Sequence, residues 1–350
     1  MPYSYIEIAS FGGPEVLQLK QEKSLPEPGR GEVRVKVLAA GTGFTDTIIR
    51  DGDYPGVKEK PPFTPGYDWF GVVDKLGVGV QGLEPGQAVA DMPVIGGYTQ
   101  YLCADAARVI PCPQGLDPAQ AVCMILPYTT AYQMLTRECQ LQRGDRILVH
   151  AAAGAVGSAL VELGRLLGLE VYGTASSGKH DLLRAFGAIP IDYRSEDFVA
   201  RTLELSGGGV DAVFDTVGGK NWAHSYRCLR RGGKLVGFGS MQLSTGEESL
   251  PQLLWGFAKL LGLWKFIPDG KSSSFYNIQS SREKNNEAFN KDVHTLMQWL
   301  RDGKLHPVVD ERVPLGQVAD VHRRIASADI KGRVALICQG QDTPRGAVGE

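Results

Sequence analysis

The feature that most constrains this chain is an alternation of short apolar runs with helix-like runs, which begins at about residue 127 of 350. Five apolar runs predict strands, and they are RILVHA, EVYGTAS, IPIDY, VDAVFDTV and GKLVGFGS. Helix-like runs such as SALVELGRLLG separate them at the spacing of βαβ units. Because parallel strands need long crossover connections, the pattern predicts an α/β fold with a doubly wound parallel sheet.

The residues before about 125 show a different pattern, in which short strand-like runs follow one another without helix-like runs between them. In GEVRVKVLAAG, Val33, Val35 and Val37 alternate with polar residues, as in a half-buried strand. A further strand near SFYNIQ and a long helix from about Glu283 to Leu300 are predicted, after which the chain returns to strand, helix and strand. We therefore predict a β-rich domain from residues 1–126 and 281–350, and a parallel-sheet domain from residues 127–280.

Composition excludes several classes of function. A net charge of −2 gives no basic field for nucleic acid. The six cysteines are scattered, without a CxxC pair, which favours structural thiols in a reducing compartment. The sequence contains no secretory leader pattern and no apolar run long enough to span a bilayer. These features predict a cytoplasmic protein without a transmembrane segment.

The stretch HAAAGAVGS, residues 150–158, lies where the first strand of the alternation meets the first helix. Dinucleotide pyrophosphates bind at this place, against the amide groups of the helix N-terminus. Its pattern is AxGxxG, with Ala152 at the first glycine position. The predicted cofactor-binding residues here are Gly154, Ala155, Val156 and Gly157. The alternative is a strand-to-helix turn of small residues that binds no ligand.

The end of the second strand indicates which nicotinamide cofactor is used. An NAD site usually has an acid there for the ribose hydroxyls, but this chain has GTASSGKH. Ser176, Ser177 and Lys179 suit a 2′-phosphate instead, and Thr174 belongs to the same predicted set. We therefore predict NADPH as the cofactor, with an ordinary surface lysine as the alternative for Lys179.

The chain resembles the medium-chain dehydrogenase/reductase superfamily over nearly its whole length. The motifs that carry the resemblance include GEVRVKVLAAGTGFTD, PPFTPGYDWFGVV, LEPGQAVA, GGYTQY, LPYTTAYQML, GDRILVHAAAGAVGSALVELGRLLG and VDAVFDTVGG. Within it, the chain is similar to the zinc-free quinone oxidoreductase, or ζ-crystallin-like, branch. The resemblance implies a GroES-like domain built from both ends of the chain, with a Rossmann domain between them.

The resemblance also implies that no zinc is bound. In the zinc-dependent members, cysteine and histidine usually stand where this chain has Gly43 and Tyr67, and catalytic zinc needs about three such ligands. Asp46 and Asp68 alone lack nitrogen or sulfur partners. Gly43 is also a departure within the branch, which commonly has asparagine there as a polar residue near the nicotinamide.

Without a metal, the expected substrate is a small lipophilic quinone, enone or alkenal. Hydride addition to a conjugated acceptor spreads the developing charge, so hydrogen bonds can replace a Lewis acid. Tyr54 and Tyr67 are the candidate catalytic residues, since the resemblance places both in the substrate cleft. The alternative for each is an aromatic wall without acid chemistry.

The resemblance supplies further cofactor-binding candidates, each with an alternative. Thr130 is expected beside the nicotinamide ribose, or else as a helix cap. Tyr193 is expected at the adenosine end, or else in the core. Phe238 and Gly239 follow the last strand of the alternation, where such sheets bind ligands. His150 is interpreted as structural, since it points from the strand end into the fold.

The aromatic segment, residues 250–267, leaves three interpretations open: core or subunit interface, a lid over a lipophilic acceptor that enters between the two domains, or a helix on a membrane surface. KSSSFYNIQ, residues 271–279, predicts a last strand with an exposed edge, through which two copies form a homodimer. The rival to the reductase is a nucleotide-binding structural or membrane-associated protein with little turnover.

Overall fold

The computed structural model describes residues 1–244, 246 and 249–339. The chain divides into two compact units, one formed by residues 1–126 and 293–350, the other by residues 127–292. Among the described residues, no helix is both long and apolar enough to cross a bilayer.

The strands are β1 (Tyr3–Ile8), β2 (Leu17–Glu22), β3 (Glu32–Gly41), β4 (Trp69–Leu76), β5 (Ala88–Asp91), β6 (Tyr101–Asp105), β7 (Ile110–Pro111), β8 (Arg146–Val149), β9 (Glu170–Ala175), β10 (Ile189–Asp192), β11 (Val210–Asp215), β12 (Leu229–Gly237), β13 (Ser272–Phe275), β14 (Val309–Pro314) and β15 (Arg333–Ile337). The α-helices are α1 (Phe44–Asp51), α2 (Pro118–Cys123), α3 (Thr129–Gln133), α4 (Ala155–Leu166), α5 (His180–Ala185), α6 (Phe198–Leu205), α7 (Lys220–Arg227), α8 (Met241–Ser244), α9 (Leu250–Leu261), α10 (Ile278–Lys284), α11 (Asn286–Arg301) and α12 (Val318–Ala326).

The second unit contains a six-stranded sheet in the order β10-β9-β8-β11-β12-β13. Every neighbouring pair in it is parallel. The chain starts at the central strand β8, runs outward to β10, and then returns to β11 on the other side of β8. This order reverses at β8, so the predicted doubly wound sheet is confirmed, and ligands bind such sheets at the reversal point.

The first unit contains a seven-stranded, mainly antiparallel sheet in the order β14-β15-β3-β4-β5-β7, with β6 also paired to β3. Val33, Val35 and Val37 of β3 are fully buried, as their alternation predicts. A separate hairpin of β1 and β2 completes the β structure of this unit. β15, the last described strand, lies between β14 and β3, so strands from the N-terminal and C-terminal parts of the chain build this sheet.

Two local predictions differ from the structure. The long helix expected from about Glu283 is interrupted at Asn285, whose extended backbone (φ −153°, ψ 80°) ends α10 just before α11 begins. The SFYNIQ strand ends at Phe275, because the Asn277 side chain accepts a hydrogen bond from the Ser280 amide and caps α10. Asparagine favours such caps over a continuing strand.

Candidate functional site

The turn between β8 and α4 presents free amide groups at the carboxyl edge of the parallel sheet. Gly154 is the N-cap of α4 and supplies no capping side chain. The first helical hydrogen bond runs from the Ser158 amide to the Gly154 carbonyl, at 2.8 Å. The three amides before it, those of Ala155, Val156 and Gly157, have no acceptor within the helix. With the helix dipole behind them, they form a site suited to a phosphate.

The close packing of this turn requires its small residues. A Cβ at Gly157 would overlap the Ala151 carbonyl oxygen and lie 2.7 Å from the Ala152 Cα. Ala151 itself has a left-handed backbone (φ 50°), which is costly for a residue with a side chain. The Ala152 amide donates to the Thr174 carbonyl at 3.1 Å. The turn between β8 and α4 is therefore held against the end of β9, next to the predicted residues for the 2′-phosphate.

The residues after β9 are divided between the core and the surface. Ser176 and Lys179 are half-buried and Ser177 is exposed, immediately beyond the strand end. Thr174 is different, because its side chain is 2% exposed and its hydroxyl lies 3.0 Å from the His150 Nδ1 atom. Ser176, Ser177 and Lys179 therefore lie at the surface of this edge, whereas the Thr174 hydroxyl is already hydrogen-bonded in the interior.

His150 belongs to a buried hydrogen-bond chain beneath the turn. Asp215 is fully buried, and its Oδ2 atom accepts the Ser225 hydroxyl at 2.6 Å. The Ser225 oxygen in turn lies 3.0 Å from the His150 Nε2 atom. This order makes Nε2 the protonated nitrogen and Nδ1 the acceptor of the Thr174 hydroxyl. Burial lowers the pKa of His150, so the ring is neutral and structural rather than a catalytic base.

The remaining cofactor candidates are exposed to different degrees. Thr130 lies inside α3, not at its cap, and its buried hydroxyl has no hydrogen-bond partner among the described residues. Tyr193 is 52% exposed, so its alternative as a core tyrosine is wrong. Phe238 and Gly239 directly follow β12. A Cβ at Gly239 would overlap the Thr216 hydroxyl oxygen, so Thr216 at the end of β11 borders the same edge.

The two candidate catalytic tyrosines are in contact within the first unit. Their hydroxyl oxygens are 2.9 Å apart and their rings meet edge to face, with centroids 6.0 Å apart. Tyr67 is 2% exposed, whereas Tyr54 is half-buried. Burial raises the pKa of Tyr67 far above its usual range, so that its phenol stays protonated. Tyr54 is therefore the more exposed of the two tyrosines, and its hydroxyl is hydrogen-bonded to that of the buried Tyr67.

Asp46 joins the two segments that carry these tyrosines. Its Oδ2 atom accepts the Gly43 amide at 2.8 Å, at the start of α1, and its Oδ1 atom accepts the Tyr67 amide at 3.1 Å. Tyr54 follows the end of α1 by three residues. Burial raises the pKa of Asp46 to about 7, even though the charge of Arg333 opposes that rise. A Cβ at Gly43 would meet only the Asp46 Oδ2 atom, at 3.7 Å, so the space beside it is open.

Asp68 is held by a buried ion pair. Two terminal nitrogens of Arg333 contact its two carboxylate oxygens at 2.8 and 2.6 Å. Arg333 also donates to the carbonyls of Thr42 and Val122, at 3.1 and 2.9 Å. These four hydrogen bonds use four of the five N–H groups of the guanidinium, and its bidentate pairing with the carboxylate is a strong arrangement. The Asp68 carboxylate therefore has a structural role.

These contacts leave no zinc-ligand set around Gly43. Both carboxylates are already hydrogen-bonded to other groups of the protein, Asp46 to backbone amides and Asp68 to Arg333. Across residues 1–244, 246 and 249–339, no three His, Cys, Asp or Glu side chains are grouped as metal ligands. The residues present do not fit a catalytic zinc.

Sequence reasoning missed Arg333, Thr216 and the Asp215–Ser225 pair. Nothing local marks Arg333, since its partner Asp68 is 265 residues away. Thr216 could have been found, because it follows β11, the strand beside β8, and therefore lies at the ligand-binding edge.

Comparison with known proteins gives consistent matches along the chain. The family described as "Alcohol dehydrogenase GroES-like domain" matches residues 29–114. The family described as "Zinc-binding dehydrogenase" matches residues 186–336. The synaptic vesicle membrane protein VAT-1 homolog of Rattus norvegicus is 30% identical over 343 residues, which cover 96% of this chain and 84% of the relative.

Two further relatives are named as quinone oxidoreductases. The quinone oxidoreductase of Homo sapiens is 29% identical over 326 residues, which cover 91% of this chain and 93% of the human protein. The crystal structure of Escherichia coli quinone oxidoreductase complexed with NADPH has a TM-score of 0.82 at 28% identity, over 95% of this chain and 99% of that one. The sequence comparison and the structure comparison therefore both find quinone oxidoreductases.

Proposed function

The chain belongs to the quinone oxidoreductase branch of the medium-chain dehydrogenase/reductase superfamily, and on that premise we propose that it is an NADPH-dependent, zinc-independent reductase of conjugated acceptors. The proposed acceptors are quinones, enones or alkenals. The observation that carries the proposal is the uncapped N-terminus of α4 at the reversal point of the parallel sheet, where small residues leave three amides accessible to a phosphate.

The residues of the second unit fit NADPH. The amides of residues 155–157 suit the pyrophosphate, and the hydroxyls of Ser176 and Ser177 with the Lys179 ammonium suit a 2′-phosphate. The buried Thr130 hydroxyl, which has no partner in the part of the chain that the structure describes, fits a ribose or amide group of the bound cofactor. When bound, NADPH supplies the hydride. The protein binds and orients it.

The first unit supplies the proposed contact to the acceptor. During reduction, negative charge would develop on the acceptor oxygen, and the Tyr54 hydroxyl would donate a hydrogen bond to it. The Tyr67 hydroxyl then donates to the Tyr54 oxygen, which strengthens the Tyr54 donor. In a quinone or enone this charge is delocalised, so two hydrogen-bonded phenols are proposed to stabilise it where an isolated carbonyl would benefit from a metal ion.

The experiment that tests this function is steady-state oxidation of NADPH and NADH with a panel of quinones, enones and simple aldehydes. We expect turnover of the conjugated acceptors with NADPH, little turnover of the aldehydes, and no loss of activity in a chelator. NADPH binding without turnover of any conjugated acceptor would instead favour the rival, a nucleotide-binding protein without reductase activity.

A substitution separates the cofactor assignment from the reaction. Lys179→Ala should weaken NADPH binding about tenfold, the effect of losing one charge-assisted hydrogen bond, and leave NADH binding unchanged. Lys60→Ala, which removes an exposed lysine of the first unit, is the matched control. Titration calorimetry measures both affinities. Equal loss of NADPH and NADH affinity in Lys179→Ala would refute its assignment to the 2′-phosphate.

A further inference from the structure

The turn between β8 and α4 depends on a backbone conformation that few residues adopt. Ala151 lies two residues beyond β8 and is left-handed (φ 50°), a conformation that a Cβ disfavours. Its carbonyl oxygen accepts the Gly154 amide at 2.9 Å. A Cβ at Gly157 would overlap the same oxygen, so this carbonyl lies against the first turn of α4. The conformation of Ala151 therefore determines how the helix N-terminus, with its free amides, is placed.

His150, the residue before Ala151, is held through both nitrogens of its ring. The Nδ1 atom lies 3.0 Å from the Thr174 hydroxyl oxygen, and the Nε2 atom lies 3.0 Å from the Ser225 hydroxyl oxygen. The His150 backbone amide donates to the Phe214 carbonyl, also at 3.0 Å. Since the His150 side chain is 3% exposed, its hydrogen bonds form in the interior, where each is stronger than in water. They hold His150 against β9 on one side and β11 on the other, the two neighbours of β8.

Thr174 holds the residues on both sides of Ala151. Its hydroxyl contacts the His150 ring, and its carbonyl oxygen accepts the Ala152 amide at 3.1 Å. A left-handed residue with a side chain persists where the surrounding structure over-determines its conformation. Here one residue of β9 fixes the side chain before Ala151 and the backbone after it. Of these two contacts, the one with His150 depends on a side chain and can be removed by substitution.

The hydrogen-bond chain ends at a buried carboxylate that fixes the tautomer of His150. Asp215 is fully buried, and its Oδ2 atom accepts the Ser225 hydroxyl at 2.6 Å. Its Oδ1 atom accepts the amides of Val217 and Gly218, at 2.8 and 3.1 Å, in the loop that follows β11. Because a carboxylate only accepts, the Ser225 oxygen keeps its lone pairs for the His150 Nε2–H group. His150 is therefore anchored to a group that is itself held by the backbone.

We propose that His150 is a positioning residue for the dinucleotide: it holds Ala151 in the left-handed conformation and so directs the amides of residues 155–157 toward the pyrophosphate. The inference rests on the NADPH-dependent function proposed above. Because the ring is buried beneath the turn, it acts through Ala151 and not through contact with the cofactor. The pyrophosphate is common to NADPH and NADH, so this role affects both cofactors equally, in contrast to that of Lys179. The alternative is a histidine that only stabilises the core.

The test is titration calorimetry of His150→Ala with NADPH and with NADH. We expect both affinities to fall about tenfold, the effect of misplacing one hydrogen bond to a charged group, so that their ratio stays that of the native protein. His322→Ala is the matched control, because it removes a fully buried histidine of the first unit. It should lower the melting temperature without changing either affinity. Thr174→Val removes the hydroxyl that contacts the His150 ring and should weaken both cofactors in the same way, and it is the milder variant if His150→Ala does not fold.

A second substitution separates positioning from stability. Glycine adopts left-handed conformations readily, so Ala151→Gly added to His150→Ala should bring both affinities back to within about threefold of the native values. The same substitution added to Thr174→Val should act in the same way. The melting temperature of the His150→Ala double variant should stay low, because the Ser225 and Thr174 hydroxyls have lost the imidazole as their partner.

Unchanged affinities in a folded His150→Ala or Thr174→Val variant overturn the proposal. An equal loss of affinity in His322→Ala overturns it as well, as does a loss that Ala151→Gly does not restore. A native protein that binds neither NADPH nor NADH refutes the proposed function itself, whereas the other outcomes refute the positioning role alone.

Discussion

Replacing Gly41 by alanine should break the buried ion pair between Asp68 and Arg333. Gly41 ends β3, and a Cβ there would overlap the Arg333 guanidinium carbon and both of its terminal nitrogens. Those nitrogens hold the fully buried Asp68. The backbone of Gly41 is ordinary strand, so alanine is tolerated locally. The predicted cost is therefore that of displacing Arg333 from its partner, and not that of a strained turn.

The magnitude follows from the burial of the pair. Arg333 and Asp68 are 2% and 0% exposed at their side chains, and removal of one partner from such a pair costs about 3–5 kcal/mol. With a urea m-value of about 3 kcal/mol/M, Gly41→Ala should lower the unfolding midpoint by about 1–2 M. Urea unfolding followed by tryptophan fluorescence measures this, since Trp69 is buried next to Asp68 in the sequence.

A double-mutant cycle shows whether the steric reasoning is right. Arg333→Met should cost as much as Gly41→Ala, and the double variant should cost little more than either, because the overlapping guanidinium is already gone. Gly43→Ala is the control, since its added Cβ would meet only the Asp46 Oδ2 atom at an ordinary 3.7 Å. We expect it to cost under about 1 kcal/mol. Additive costs in the double variant would refute the argument.

Four further predictions follow. Tyr54→Phe should lower kcat for a quinone about tenfold, the worth of one hydrogen bond, and leave the dissociation constant for NADPH unchanged; an unaltered kcat would show that Tyr54 does not contact the acceptor. Since burial raises the pKa of Asp46 from 3.8 to about 7, the folded protein keeps a proton that the unfolded chain has released, so this contribution to stability is complete below about pH 4 and is lost as pH rises to about 7. Between pH 5 and 7.5, the unfolding free energy of the native protein should therefore fall relative to that of Asp46→Asn. Unfolding free energies that change in parallel with pH in the two proteins would contradict this. Elemental analysis of the purified protein should find no stoichiometric zinc, because the carboxylates near Gly43 are already bonded to the protein. The chain should be a dimer in light scattering, because β13 is an edge strand of the parallel sheet and an uncovered edge favours pairing; a monomer at micromolar concentration would exclude that.

The parts of the fold that sequence predicts are those with a local signal. The strand–helix alternation and the AxGxxG turn are readable because each strand, crossover and small residue is specified within about 30 residues. The local sequence does not show that Tyr67 is buried whereas Tyr54 is only half-buried, because both tyrosines lie in similar Gly- and Pro-rich stretches. The apolar composition of α9 likewise indicates a buried helix, but does not show that only one of its two apolar faces is covered.

The placement of β15 has a consequence for synthesis on the ribosome. β15 is an internal strand, and Arg333 at its start neutralises a carboxylate made 265 residues earlier. Until β15 is synthesised, the end of β3 at residues 39–41 lacks its partner strand and Asp68 lacks Arg333, although the strands of the parallel sheet, residues 146–275, have already been made. We therefore expect the sheet of the first unit to be completed only after the parallel sheet has been synthesised, although its other strands are made first.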